Sequence, residues 1–319
     1  MIPAQQPVAN VAAPSVASRS AVTQWIRRHP VLAYLILAYT VSWTIFLVPV
    51  LSKEGLGLLG FDAPPVQVFI LLVSVLGLAG SAFTITAVVD GRAGVRRLAS
   101  RLVRWRVGLQ WYLIAIFGLP VVALLGVSIV YGLAPIAALP QQGSALLGYL
   151  FQVALVAALV NLWEETGWTG FMFTRLQPRF GALVASLLVA PCFGGIHLPL
   201  LFVTDGLTTG RVPPQEIPLF LLLLLAAFSI PVRVIAAWLY NNSKGSLLIL
   251  GLFHSALGAT AGAVLLPHLV PEGADLTWEV YGSFAVVAAL LIVVTRGRLA
   301  YKPIPDLQPV PPAEYYKAL

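Results

Sequence analysis

Long apolar stretches dominate this chain, and shorter polar loops separate them. Eight of these stretches are each roughly 20 residues long, which is the length with which a helix crosses the hydrocarbon core of a bilayer. The pattern therefore predicts an all-α fold, a polytopic membrane bundle of about eight transmembrane helices. The predicted spans are 31–51, 66–89, 110–132, 144–163, 181–203, 216–240, 246–267 and 278–295.

The positions of the positive charges support this count, because Lys and Arg concentrate in the cytoplasmic loops of membrane proteins. With the loops assigned alternately, all of the 19 Lys and Arg residues except Lys53 and Arg211 fall on the side of the N-terminus. We therefore expect both termini to be cytoplasmic and the protein to be a multi-pass protein of the cell membrane. The basic loop 91–109 is expected either to lie on the anionic leaflet as an amphipathic segment or to act only as a topology determinant.

Both ends of the chain differ in composition from the region between them. Residues 1–21 are rich in Ala, Val, Pro, Ser and Gln without a helical period, and residues 301–319 are rich in proline. Such segments bury too little apolar surface to fold, so we expect both to be disordered. The membrane domain is then 22–300, and its motif-bearing core is 144–267.

The composition agrees with a protein whose partner is the lipid bilayer. Hydrophobic residues make up 59% of the chain and charged residues 10%, with a mean hydropathy of +0.90. So few charges cannot cover a soluble globule, and nucleic-acid binding through a basic face is not expected despite the net charge of +7. Cys192 is the single cysteine, which excludes an intramolecular disulfide framework and a Cys-rich metal site.

Ionisable residues inside or beside apolar spans are costly, so they indicate candidate sites. The first is the pair Glu164 and Glu165, at the predicted end of the fourth span. Neighbours on a helix point about 100° apart, so we expect only one carboxylate to face the bundle centre. A carboxylate in a partly dry pocket suits a general base that takes a proton from water. The alternative is a pair solvated at the headgroups or paired with Arg175 or Arg179.

Two histidines form the other candidate positions, His197 in the fifth span and His254 in the seventh. An imidazole there orients a water, donates to an oxyanion or ligates a metal. The alternative is a hydrogen-bonded packing residue. The assigned topology places these histidines and the glutamates at different depths, which the linear pattern does not reconcile.

Three motifs, in this order and spacing, resemble the CAAX prenyl endopeptidase and bacteriocin-processing intramembrane protease family. The resemblance covers 144–267, about four of the eight predicted helices. The first motif is Glu-Glu-Thr-Gly-Trp-Thr-Gly-Phe at 164–171, and it continues into Arg-Leu-Gln at 175–177. The second is Phe-Gly-Gly-Ile-His at 193–197. The third is the segment 254–258, which stands at the place of a His-x-x-x-Asn signature.

The resemblance implies an intramembrane endopeptidase that acts on a peptide or membrane-protein substrate, such as a CAAX-like one. In this family Glu164 would activate a water and His197 would assist it, while His254 would stabilise the oxyanion; Glu165 completes the catalytic set. The family has also been described as metal-dependent. Since the chain lacks a His-Glu-x-x-His spacing, a divalent metal such as zinc and no cofactor at all both remain open. The substrate and the oligomeric state are not determined by the sequence.

Two positions depart from the family pattern. The Arg expected four residues after Glu165 is Thr169, and the Asn expected four residues after His254 is Gly258. The candidates to replace them are Arg175, Asn161 and Ser255. The departures leave two alternatives open, a catalytically degenerate relative that acts as a scaffold, immunity or regulatory protein, and a transporter.

Overall fold

The computed structural model describes residues 20–206, 212–261, 265–272, 274 and 276–302. Within these ranges the chain is helical and contains no strand. Its principal helical segments are α1 (Ala21–Arg28), α2 (Pro30–Leu51), α3 (Val66–Leu102), α4 (Leu109–Tyr131), α5 (Gly143–Phe180), α6 (Ala182–Phe202), α7 (Pro214–Asn242), α8 (Leu247–Ala261) and α9 (Thr277–Thr295).

Seven of these helices, α2 to α7 and α9, are long and apolar enough to cross a membrane. The prediction of a polytopic helical membrane bundle is confirmed. The predicted span 246–267 corresponds to α8, a shorter apolar helix of 15 residues. The orientation of the termini stays a prediction, and nearly all of the two predicted disordered ends, 1–19 and 303–319, lies outside the described residues.

Two helices extend well beyond their predicted spans. α3 does not end at 89 but continues to Leu102 across a kink at Gly91, whose φ of 65° is readily adopted only by glycine. α5 does not end at 163 but continues to Phe180. The predicted spans end where charged residues begin, because they were defined by apolar composition. A helix can continue through charged residues. One charge from each extension is paired with the other, since the Arg175 guanidinium donates to the Asp90 carboxylate.

The extension of α5 passes through the centre of the bundle. Every residue from Thr166 to Phe173 is buried. Tyr34 of α2 packs its ring against Trp168 and Phe171, with centroid distances of 6.1 and 4.8 Å. The segment that carries the first sequence motif is therefore enclosed by protein and is not solvated.

A glycine allows α8 to approach this segment closely. A Cβ at Gly251 would lie 3.2 Å from both the backbone nitrogen and the Cα of Leu162. Small residues permit such helix contacts in membranes, where packing rather than the hydrophobic effect holds helices together. The close approach brings the next turn of α8, which carries His254, against the glutamate pair of α5.

Candidate active site

The glutamate pair lies on a single α-helical turn of α5, Leu162–Glu165. π-helical segments precede and follow this turn, Ala157–Asn161 and Thr166–Phe173. π-helical insertions of this kind are frequent at functional sites. Both carboxylates are enclosed, with Glu164 4% and Glu165 1% exposed. The expectation that only one would face the interior is wrong, because neighbouring helices cover α5 on both sides and His254 contacts both carboxylates.

Glu164 keeps one carboxylate oxygen available. Its Oε1 accepts from the Ser74 hydroxyl at 3.0 Å. That hydroxyl also lies 2.8 Å from the Ile70 carbonyl oxygen, so two acceptors share its single proton. The Oε2 of Glu164 has no hydrogen-bond partner among the described residues and lies 3.8 Å from His254 Nε2. An ionised oxygen in this position can accept a proton from a bound water.

Glu165 is the most fully partnered group of the site. Its Oε1 accepts from Arg233 Nη1 at 2.7 Å, and its Oε2 accepts from the Thr169 hydroxyl. The second guanidinium nitrogen of Arg233, Nη2, donates to the same Thr169 hydroxyl. Arg233 is 3% exposed, so this is a buried charge pair. Such a pair holds its members in a fixed geometry, because breaking it leaves an uncompensated buried charge.

His254 lies between the two glutamates. Its Nδ1 is 3.1 Å from Oε1 of Glu165, and its Nε2 faces Glu164. The contact is a charge contact and is not aligned as a hydrogen bond. A carboxylate only accepts, so it attracts an imidazole that carries a proton on Nδ1, and in this position the ring directs Nε2 towards Glu164.

His197 is held by its own helix. Its Nδ1 donates to the Phe193 carbonyl at 3.0 Å, which leaves Nε2 as an acceptor in the neutral ring. The Phe193 ring contacts both imidazoles, with centroid distances of 5.7 Å to His197 and 5.3 Å to His254. Among the described residues no hydrogen bond or ion pair joins His197 to either glutamate. The structure therefore brings Glu164, Glu165 and His254 into direct contact and connects His197 to them through Phe193.

The four candidate residues lie within the part of the chain that resembles known proteins. Residues 146–260 match the family model described as Type II CAAX prenyl endopeptidase Rce1-like. The resemblance to the CAAX prenyl endopeptidase family is confirmed. A stretch of 102 residues is 28% identical to CAAX prenyl protease 2 of Methanococcus maripaludis. It covers 32% of this chain and 36% of the relative, so the match spans about a third of either protein.

The Arg missing from the family motif is not replaced by Arg175. That residue pairs with Asp90 and stacks on the Phe171 ring, with Cζ 3.8 Å from the ring centroid. The cation at Glu165 is instead Arg233 of α7. The sequence analysis counted this residue with the cytoplasmic charges and assigned it no partner, and the structure buries it inside the bundle. Its position within an apolar span was the available signal, because a charge there needs a partner.

At Gly258, where the family pattern has Asn, no other side chain of the described residues fills the position. Gly258 is exposed, and a Cβ at this position would meet no atom within 4 Å. The remaining candidates to replace the missing residues, Asn161 and Ser255, contact each other. The Ser255 hydroxyl lies 2.8 Å from Asn161 Oδ1 and 2.8 Å from the Gly251 carbonyl oxygen, and these two acceptors share its proton. Both are buried next to the glutamate turn. The position of the family Asn is therefore open space in this chain.

The residues of the site do not fit a metal ion. Among the described residues, no three His, Cys, Asp or Glu side chains converge in an arrangement that could hold one. The donor set gives the reason, because the Arg233 guanidinium lies 2.7 Å from Glu165 and repels a second cation there. His254 Nδ1 faces that same carboxylate and is not directed at a shared point. We therefore derive no step through a metal.

Proposed function

We propose that this protein is an intramembrane endopeptidase that hydrolyses a peptide bond of a membrane-associated, CAAX-like substrate. The observation that carries the proposal is the buried Glu164 carboxylate, whose Oε2 has no hydrogen-bond partner among the described residues and faces the His254 imidazole. The match of residues 146–260 to the Rce1-like family and the name of the archaeal relative, a CAAX prenyl protease, support the same reaction class.

In the proposed reaction, Glu164 Oε2 takes a proton from a water while the water oxygen adds to the scissile carbonyl carbon. His197 assists through Nε2 by accepting a hydrogen bond from the same water. The carbon–nitrogen bond then breaks, and Glu164 returns its proton to the leaving amine. A positioned general base of this kind contributes about 10²–10⁴-fold to the rate.

His254 is the proposed oxyanion donor. With protons on both of its ring nitrogens, Nδ1 faces Glu165 and Nε2 is free to donate to the negative oxygen of the tetrahedral intermediate. The four groups Glu164, Glu165, Arg233 and His254 then carry no net charge, which is the least costly arrangement for charges held away from water. Removing one such donor typically costs about 10²–10³-fold in kcat.

An apolar groove beside the site supports a substrate with an attached lipid chain. It lies between α7 and α9, has a volume of about 410 Å³, and includes Pro231, Tyr281 and Ala285 in its wall. The Tyr281 ring packs on the Phe228 ring with a centroid distance of 5.4 Å, and the Phe228 ring packs on the Phe193 ring with a centroid distance of 6.2 Å. Because Phe193 contacts both histidines, a series of aromatic ring contacts joins the groove wall to the site.

The test is cleavage of a fluorogenic CAAX-like peptide, with and without a prenyl chain, by the purified protein in detergent. We expect the prenylated peptide to be cleaved, and His254→Ala to lower kcat by about 10²-fold. His268→Ala is the matched control, because His268 is exposed and outside the site. Equal activity in both variants would contradict the assigned role of His254, and a folded wild type that cleaves no peptide of the panel would overturn the proposed function.

A further inference from the structure

Arg233 and Thr169 form a closed arrangement with Glu165. Both guanidinium nitrogens, Nη1 and Nη2, are engaged, one on the carboxylate and one on the hydroxyl. The hydroxyl accepts a hydrogen bond from Arg233 and donates one to the second oxygen of Glu165. Each of the three groups thus bonds to the other two. The Cζ of Arg233 also lies 5.3 Å from the Phe193 ring centre, a cation–π distance.

The position of Thr169 explains why this arrangement is possible. Thr169 lies four residues after Glu165, on the same face of the helix and one turn away. It is fully buried, and its short side chain leaves the space beyond it to the guanidinium that arrives from α7. A long cationic side chain at 169 would compete for that space and would place two like charges on one carboxylate.

We infer that Arg233 acts as a positioning residue: it holds Glu165, which in turn orients His254. This inference rests on the proposed function for its kinetic consequences. The pairing itself is independent of any reaction. The guanidinium reaches the glutamate pair from α7, and the Thr169 hydroxyl links it to the second oxygen of Glu165.

The test is an exchange of the two positions. We expect Arg233→Met to lower kcat at least 10²-fold with little change in KM, because His254 loses its orientation while the substrate-binding surface is untouched. Thr169→Arg alone is expected to be as damaging. The double variant Thr169→Arg/Arg233→Met places the cation on the motif helix, and it should recover at least tenfold of the lost kcat. Arg233→Lys should recover less, because a single ammonium cannot engage both partners in the same geometry.

A second readout does not depend on catalysis. Thermal unfolding in detergent, followed by tryptophan fluorescence, should show a lower midpoint for Arg233→Met than for the control Arg179→Met, an exposed arginine. Glu165→Gln/Arg233→Met should restore the midpoint, since neither partner is then left charged and alone. That variant should still be inactive, unlike the exchange variant.

The outcomes separate the two claims. An inactive wild type together with the expected midpoints would overturn the proposed function and support the pairing. An active wild type whose exchange variant folds but recovers no kcat would overturn the inference about Arg233. Equal unfolding midpoints for Arg233→Met and Arg179→Met would overturn the pairing as well.

Discussion

The close contact between α8 and α5 predicts that two glycines of one helix respond very differently to the same substitution. Gly251 precedes His254 by three residues and Gly258 follows it by four. A Cβ at Gly251 would lie 3.2 Å from the Cα of Leu162, whereas a Cβ at Gly258 would meet nothing within 4 Å. Substitution by alanine adds the same methyl group at both positions, so each variant is a control for the other.

The expected magnitude follows from that distance. Carbon atoms prefer separations of about 3.5–4.0 Å, so Gly251→Ala moves α8 away from α5 by roughly 0.3–0.8 Å. A misplacement of about 1 Å in an active site can cost about 10²-fold, so we expect a loss of about tenfold in kcat/KM as His254 moves from the glutamates. Both variants gain up to about 1 kcal/mol from the helix preference of alanine, and only Gly251→Ala offsets this gain with strain.

The assay is kcat/KM on one prenylated peptide, combined with thermal unfolding in the same detergent. Gly258→Ala should keep its activity and unfold at the same temperature as the wild type or higher. Gly251→Ala should lose activity and gain no stability. If the two variants have equal activity and equal unfolding midpoints, the contact between α8 and the glutamate turn does not position His254, and the reasoning is refuted.

Three further predictions follow from single contacts. Ser74→Ala removes the donor to Glu164 Oε1 and should cost about 1.5–3 kcal/mol of unfolding free energy, with reduced kcat; an unchanged midpoint would contradict this. Gly258→Asn places an amide in the open space one turn after His254 and should raise kcat, and no change in kcat would show that the amide does not reach the oxyanion. Hydrogen bonds from the Ala63 N–H and the Ser52 hydroxyl lower the pKa of the Glu54 carboxyl. The stability that Glu54 adds over the variant Glu54→Gln should therefore be present at neutral pH and disappear as the pH falls through that lowered pKa. A difference in unfolding midpoint that persists in acid would contradict this.

The apolar pattern predicted most of the membrane bundle, because spans of about 20 apolar residues have few structural alternatives. It failed where the chain stays helical beyond an apolar window. The extensions of α3 and α5 contain Asp90 and Arg175, which a hydropathy criterion excludes and which the structure pairs with each other. The depth conflict between the glutamates and the histidines came from ending the fourth helix at 163.

The sequence predicted the site residues that belong to the three motifs, but not the residues that contact them. The motifs singled out Glu164, Glu165 and His254, and the structure brings these three side chains into contact. Their roles in catalysis stay predictions. Arg233 and Ser74 were missed as partners, since they lie 68 and 90 residues from the glutamates they contact. Such pairings depend on how helices pack, which no local pattern determines. His197 was predicted as a site residue, and its role in catalysis stays a prediction.

The measurement that tests the central claim most directly is kcat for Glu164→Gln against the wild type on a prenylated CAAX-like peptide. The amide keeps the shape of the side chain but cannot take a proton from water. We predict a loss of about 10²–10⁴-fold, with an unfolding midpoint near that of the wild type and full activity in the control Glu216→Gln, an exposed glutamate. Full activity in a folded Glu164→Gln would contradict the account, because the water would then be activated by another group.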